Sequence, residues 1–428
     1  MSVAVTAATA ARADYDSSDV PSDWTSDSWD GAVEEYLRAE FRKNRVVDDD
    51  DDSDEEFLQQ LQQSSVKRRR LLRQVAVSVA GAVNLLMDAY KKYRGGLNEI
   101  RNYSVPNVTF DLGNFDDKTF FSFFRFEKLE VLELVAALRL PTVIKTPERD
   151  KGSALEVFCM MCYKYAFPKQ FVCAIREFGR SAPAMSRLIR QIRQLLYQRY
   201  SDSLRHPQPL SLEQCRRFAA AIACKSGMPI VVGFIDGTVR EICKPGVLQG
   251  PLYNGKDRIH ALKYQAINTP DGIIRHLAGP FPGARHDQWM LHNSGILQWV
   301  QAFPVFEEHN CRPVIYADQG YSICTGLEVP YHDAELNAEH AAYNNAMSTS
   351  RISIEWEFGA ILQHWASLRY KPHEQLRSNR RIGQIYFNAA LLTNFAACCR
   401  RNHTAQYFGV TPPTLSEYLA YLDTKHAE

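Results

Sequence analysis

The chain has 428 residues, 45% of them hydrophobic and 11% aromatic, with a formal net charge of +1, a composition too apolar for a wholly disordered chain and long enough for two or three folding units. No run of 18 consecutive apolar residues occurs, which argues against a membrane-spanning helix. Ten scattered cysteines, without a basic start leading into an apolar leader, point to a reducing intracellular compartment.

The near-neutral total hides a division. Residues 1–65 hold 17 acidic against 5 basic side chains, a net of −12, so residues 66–428 carry 45 basic against 32 acidic, a net of +13. Asp48–Glu56 is a like-charge block that repels itself in any compact state, and 1–65 is expected to be a disordered acidic tail. The basic remainder suits a polyanionic partner. Lys67–Arg70 is a basic run compatible with nuclear import or phosphate contact.

Leu72, Val75, Val79, Val83, Leu86 and Met87 recur at helical spacing and predict a helix over 71–93, stopped by Gly95-Gly96. Residues 97–125 read as irregular connection, and between about 117 and 205 the patterns are again helical, so 66–205 is expected to be a helical region. Cys159 and Cys162 form a C-x-x-C, but no second pair follows at zinc spacing and the surroundings are an apolar helical pattern, so both are expected to be buried structural thiols. Within about 168–200, a helix over 170–178, a Gly-Arg-Ser turn and a helix from Ala184 have the layout of a helix-turn-helix, with Ser181 as cap and Pro183 in the first turn. Arg187, Arg190 and Arg193 lie mainly off the apolar stripe of Met185, Leu188, Ile192, Leu195 and Leu196. They could contact DNA, or line the solvated face of an ordinary bundle helix.

From residue 229 the character changes to short β-like runs: 230–235, 261–268, a Pro-Asp-Gly turn, 273–278, and 313–317. Helices are predicted over 286–302, 333–345, 351–368 and 383–402. The expected fold class is α/β, with a sheet covered by helices over 206–405 and a C-terminal tail over 406–428. Two acids follow the apolar runs. Asp236 comes after Ile230–Ile235 and Asp318 after Val314–Ala317, so both would reach one crevice at the strand ends if the strands are neighbours. Glu355 borders the apolar face formed by Ile354, Phe358, Ile361, Leu362 and Trp365, whereas Glu357 projects about 200° around the helix from Glu355 at 3.6 residues per turn and is the poorer candidate. Three carboxylates at one edge suit hard divalent cations, Mg²⁺ or Mn²⁺, and a pair of such ions can clamp the attacking and leaving oxygens of a phosphodiester.

A haloacid-dehalogenase phosphatase also uses Asp-Gly-Thr after a strand, but its nucleophilic Asp would stand where this chain has Phe234. His332-Asp-x-Glu-x-x-x-Glu-His340 matches no H-E-x-x-H spacing and reads as a solvated helix.

Gly233-Phe-Ile-Asp-Gly-Thr238, Pro282-Gly-Ala-Arg-His-Asp287, Tyr316-Ala-Asp-Gln-Gly-Tyr321 and Arg351-x-x-Ile-Glu-x-x-Phe-Gly359 together resemble, in order, the motif series of PIF/Harbinger transposases and their domesticated nuclease-like relatives. The similarity runs over about 150–402, including a closing helix around Tyr386–Asn394. It implies a DDE endonuclease with an RNase H-like catalytic core, with Asp236, Asp318 and Glu355 binding two Mg²⁺ or Mn²⁺ ions and Asp287 in support. For Asp287 the alternative is an N-cap of the following helix. The family often has a basic residue where this chain has Gln363 and His364. The resemblance also implies cleavage and joining of transposon ends, with terminal inverted repeats and target DNA as substrates, a Myb-like accessory protein, homo-oligomers and a nuclear location. The alternative is a domesticated, non-catalytic DNA-binding or regulatory protein that keeps the fold.

Overall fold

The structure is a computed structural model that describes residues 104–423, except 169, 247, 332–336 and 370–381. The expected acidic tail 1–65, the basic run Lys67–Arg70 and the helix over 71–93 lie outside the described residues, as does most of His332–His340. The described residues from Val105 to Asp423 fall within one compact unit.

The first half is helical. Helices α1 (Asp117–Phe124) and α2 (Lys128–Ala137) precede a two-stranded hairpin, β1 (Val143–Lys145) and β2 (Lys151–Ser153), and then α3 (Ala154–Ala166). Asp116 caps α1 by accepting from Thr119 N at 3.0 Å, and Ser153 caps α3 by accepting from Glu156 N at 3.1 Å, satisfying amides that no turn of helix can reach. Cys159 and Cys162 are buried in α3, where desolvation pushes both thiols well up, as expected of structural cysteines.

The helix-turn-helix segment differs from its sequence pattern. Where a helix over 170–178 was expected there is a 3₁₀ turn, Phe171–Ala174, followed by the single turn α4 (Ile175–Phe178). Ten residues between Pro168 and Gly179 leave too little length to offset helix nucleation. Gly179 ends the segment at φ 57°, where a Cβ would come within 2.0 Å of the Val108 carbonyl oxygen, so no other residue fits. Helix α5 (Ala182–Arg205) begins with Ser181 as its cap and Pro in the first turn, as expected, and runs on well past Tyr197. Helix α6 (Leu212–Ser226) leads into the sheet.

The sheet has six strands: β3 (Val231–Glu241), β4 (Tyr253–Asn254), β5 (Ile259–Asn268), β6 (Ile274–Pro282), β7 (Val314–Tyr316) and β8 (Leu327–Glu328). The short helix α7 (Gln249–Leu252) lies between β3 and β4, and α8 (Asp287–His292) and α9 (Ile296–Gln301) between β6 and β7. The order is β4-β5-β3-β7-β8, with β6 also on β5. β3 pairs antiparallel with β5 and parallel with β7, β5 pairs antiparallel with β6, and β7 pairs parallel with β8, so the expected α/β class holds as a mixed sheet.

The sheet is covered from both sides. Side chains alternate along a strand, so Phe234 and Asp236 share a face with their cross-strand partners Asn268 and Ala266. That face meets α10 (Ala338–His364), α11 (Ile382–Cys399) and α12 (His403–Phe408): Phe234 stacks on Phe408 at 6.0 Å, Tyr264 on Tyr386 at 4.0 Å, and Asn268 Nδ2 donates to Ser353 Oγ at 3.3 Å. Helices α5 and α11 pack on each other and on β6, which joins the N-terminal helices to the sheet in one core. Residues 406–428, read as a tail, include the end of α12 and helix α13 (Leu415–Asp423), whose Tyr418, Leu419 and Leu422 are buried.

Helix α10 is one continuous element where two were expected. The expected helices stopped at 345 and resumed at 351, but Met347 and Ser350 are buried and Thr349 returns its hydroxyl to the Asn345 carbonyl at 2.9 Å, so packing carries the helix through.

Candidate active site

Asp236 does not end its strand, as the apolar run suggested; β3 continues to Glu241. Only the parallel pairing ends near it. The last matched pair of β3 and β7 is Phe234 with Tyr316, so Asp236 and Asp318 each stand two residues beyond the same rung. Adjacent parallel strands thus carry two carboxylates out at one level, which is the shared crevice that the sequence implied.

Glu355 reaches the Asp236 face from α10. The link is Arg351, one helical turn earlier: its Nη1 lies 3.0 Å from Asp236 Oδ2 and its Nη2 3.3 Å from Glu355 Oε1. The Arg351 and Asp236 side chains are each 18% exposed, whereas Glu355 is 53% exposed. Burial pushes the Asp236 carboxyl up to about 6; Arg351 and the Gly237 amide, which donates to Oδ1 at 2.8 Å, oppose this, while the charges of Asp318 and Glu355 add to it. A desolvated carboxylate among like charges is a group that an additional cation would stabilise.

Glu357 is turned away, as the helical angle indicated. It is buried, accepting from Thr404 Oγ1 at 2.6 Å and Asn402 Nδ2 at 2.9 Å, and desolvation pushes its carboxyl up to about 8. It fastens α10 to the segment around α12 and has no access to the crevice.

Asp287 does not cap its helix. His286 is the N-cap, accepting from Trp289 N at 3.2 Å, and Asp287 is the first residue of α8. Its carboxylate comes close to Gly237, where a Cβ would meet Oδ1 at 2.9 Å, and to Gly320, where a Cβ would meet Oδ2 at 3.5 Å and Asp318 Oδ1 at 3.0 Å. Gly237 alternates with Asp236, so Asp287 approaches β3 from the opposite face, with Asp318 near both. Burial first, and Asp318 in addition, push the Asp287 carboxyl up against the pull of Lys263, Lys256 and His286; Lys263 Nζ is 3.9 Å from Oδ1.

Asp318 is held by the Gly320 amide, which donates to Oδ1 at 2.9 Å in an Asx-type turn. Tyr321, behind it, accepts from Gln265 Nε2 at 2.9 Å, and burial, with Asp287, Asp236 and Asp318 nearby, keeps its phenol protonated.

Sequence reasoning assigned no role to Arg351, Lys263, Gln265 or Tyr321. For Arg351 a signal was present, since it stands four residues before Glu355 and shares its helix face. Among the described residues no three His, Cys, Asp or Glu groups are close enough to hold a metal as they stand. With Arg351 between two of the acids, the carboxylates are neutralised from within the chain. The donor set, carboxylate oxygens alone, still fits a hard divalent cation.

The three arginines of α5 part company. Arg187 donates to both oxygens of Asp150, Arg193 is 8% exposed and buried against α11, and Arg190 is exposed. No described helix is long and apolar enough to cross a membrane.

Residues 235–394 match the model of a family described as DDE superfamily endonuclease, a span that contains Asp236, Asp287, Asp318, Arg351 and Glu355. A protein named ALP1-like from Arabidopsis thaliana is 22% identical over 181 residues, which cover 40% of this chain and 43% of that protein. The matched part thus spans less than half the length of this relative. No solved structure matches the chain.

Proposed function

We propose that this chain, whose residues 235–394 match the model described as DDE superfamily endonuclease, cuts DNA by metal-dependent in-line phosphoryl transfer and joins the released 3′ end to a target. The observation that carries this reading is the placement of Asp236 and Asp318 two residues beyond one rung of neighbouring parallel strands, with Glu355 brought to the same face through Arg351. A strand order with three antiparallel strands followed by two parallel ones supports an RNase H-like core.

Asp236, Asp318 and Glu355 would hold two Mg²⁺ or Mn²⁺ ions, whose chemistry is to lower the pKa of an attacking hydroxyl and to neutralise the leaving oxygen. The chain's own residues set the geometry for this. Strand pairing fixes the spacing of the two aspartates, Arg351 neutralises Asp236 and Glu355 until they are engaged, and Asp287 and Lys263 shape the far side of the crevice. The buried Tyr321 and Gln265 close it from below and limit water.

The proposed substrates are transposon ends with terminal inverted repeats and target DNA, in the nucleus, with a Myb-like accessory protein and a homo-oligomeric assembly as partners. A second reading, a non-catalytic DNA-binding protein that keeps the fold, draws support from Arg351, which balances two of the three acids without any metal.

The test is nicking of element ends by purified protein in Mg²⁺ or Mn²⁺. Asp236→Ala, Asp318→Ala and Glu355→Gln should each abolish nicking while the circular dichroism melt stays close to the parent's. Nicking at parental rates by any of the three would refute the assignment, and an inert parent that still binds those ends would establish the second reading.

A further inference from the structure

Beyond Asp236, β3 and β5 run on together. They pair through Arg240 with Leu262 and Glu241 with Ala261, after which Ile242 N donates to the His260 carbonyl at 2.8 Å and β4 adds Tyr253 opposite His260. From Ala266, opposite Asp236, to His260 is about 20 Å at the rise of a strand. Residues 242–246 and 248–258 therefore form an arm at the end of the sheet beyond Asp236.

The arm is anchored. Ala284 N donates to the Pro251 carbonyl at 3.0 Å, Leu252 is buried, and Gly283 sits so close that a Cβ would meet the carbonyl oxygens of both Leu252 and Ala261 at 2.6 Å. At the tip Asn254 Oδ1 accepts from Lys256 N at 3.0 Å, and Arg258 adopts φ 59°, a tight turn that fixes where these side chains leave the backbone.

What the arm presents is cationic and aromatic. Lys244, Lys256 and Arg258 are exposed, and none is in an ion pair among the described residues. Asp257, the acid at the tip, accepts from Asn254 Nδ2 at 2.9 Å. Tyr253 is 42% exposed, with its ring 5.4 Å from that of His260. The positive charge continues to the site: Lys256, Lys263 and His286 all act on the Asp287 carboxylate, and Arg285 lies over the Trp289 ring at 4.6 Å.

We propose that this arm is the surface along which the DNA approaching the carboxylates lies, with Lys244, Lys256 and Arg258 on backbone phosphates and Tyr253 against a base where the strand is unpaired. The inference rests on the DNA-cleaving reading and names the surface that reading lacks. The roughly 20 Å of strand between the level of Asp236 and His260 matches about six base pairs of duplex, enough for several phosphate contacts. Each such contact releases counterions and steepens the salt dependence of binding, and stacking on an exposed ring is independent of sequence.

The test is fluorescence anisotropy of the full chain with a labelled random-sequence duplex and a labelled single strand, in EDTA and across a salt series. Lys244→Ala/Lys256→Ala/Arg258→Ala should weaken binding to both by about tenfold or more and reduce the log–log salt slope by about 2 to 3. Tyr253→Ala should weaken the single strand more than the duplex. Lys145→Ala/Arg149→Ala, which removes exposed charge from the β1–β2 hairpin, should bind like the parent. If the parent binds and the arm variants match it in affinity and slope, or if the hairpin control loses as much, the arm proposal is overturned and the DNA-cleaving reading stands. A parent that binds neither DNA overturns the arm proposal, and the DNA-cleaving reading is then decided separately by the nicking assay in Mg²⁺ or Mn²⁺.

Discussion

The Arg351 guanidinium spans two acids from different elements, 3.0 Å from Asp236 on β3 and 3.3 Å from Glu355 on α10. The chain thereby carries its own counter-charge at the crevice. Replacing it with a neutral side chain leaves Asp236, already desolvated, beside two other carboxylates with no cation to balance them. Arg351→Gln should lower stability by about 1–3 kcal/mol without metal, a breakage cost reduced here by partial exposure. Added Mn²⁺ should restore it. In thermal melts the Mn²⁺-induced rise in Tm should be larger in the variant than in the parent, and equal rises would show that guanidinium and metal do not share these carboxylates.

Metal binding should also follow the protonation of Asp236. Its carboxyl is raised to about 6 by burial, so the folded protein holds a proton there that an ordinary aspartate would have released near pH 4. Cations bind the ionised form, so Mn²⁺ affinity should be at its plateau above about pH 7 and fall as pH drops through 6. Calorimetric titration between pH 5 and 8 reads this directly. An affinity flat across that range would remove Asp236 from the binding set.

Glu357 gives stability a slope of its own. Its carboxyl is pushed up to about 8 in the folded state, and an unfolded glutamate titrates near 4.5. The proton is retained on folding, so this contribution is fully present below about 4.5 and is lost as pH rises to about 8, up to about 5 kcal/mol in all. Glu357→Gln keeps an acceptor for Thr404 and Asn402 without the charge. It should therefore match the parent near pH 5 and exceed it in denaturant midpoint at pH 8, and parallel pH profiles for the two proteins would contradict the assignment.

Asn394 closes the free edge of β6. Its Oδ1 accepts from Ile274 N at 3.0 Å and its Nδ2 donates to the Ile274 carbonyl at 2.9 Å and to Tyr418 Oη at 2.6 Å, so one amide occupies both backbone groups that a further strand would pair. Asn394→Ala leaves these groups buried without partners and should cost about 2–4 kcal/mol, read from urea unfolding. A loss under 1 kcal/mol would mean that water replaces the amide.

The acids were legible because each is tied to a local pattern. Apolar runs before Asp236 and Asp318 mark buried strands, and the angle between Glu355 and Glu357 follows from helix geometry alone. What the runs could not show was that β3 outlasts its parallel neighbour, because strand length past Asp236 depends on β5, whose pairing is tertiary. The arginines of α5 were ambiguous for a similar reason. Their polar-face spacing is the same whether the side chains meet solvent or, as for Arg187, an aspartate 37 residues earlier in the chain. The break expected inside α10 failed because Met347 and Ser350 are held by burial, which a local propensity does not register.

Helix α11 holds partners on every side by side-chain hydrogen bonds. Asn388 donates to the Arg193 carbonyl of α5 at 2.8 Å, Thr393 accepts from Trp365 Nε1 at 3.1 Å, and Asn394 engages β6. A gene fragment beginning at residue 206 would therefore express a sheet whose principal buttress has lost the helix it leans on, with apolar surface laid open where α5 had been. The carboxylates are portable only with the helices that precede them, and grafting or minimising this protein means carrying both halves.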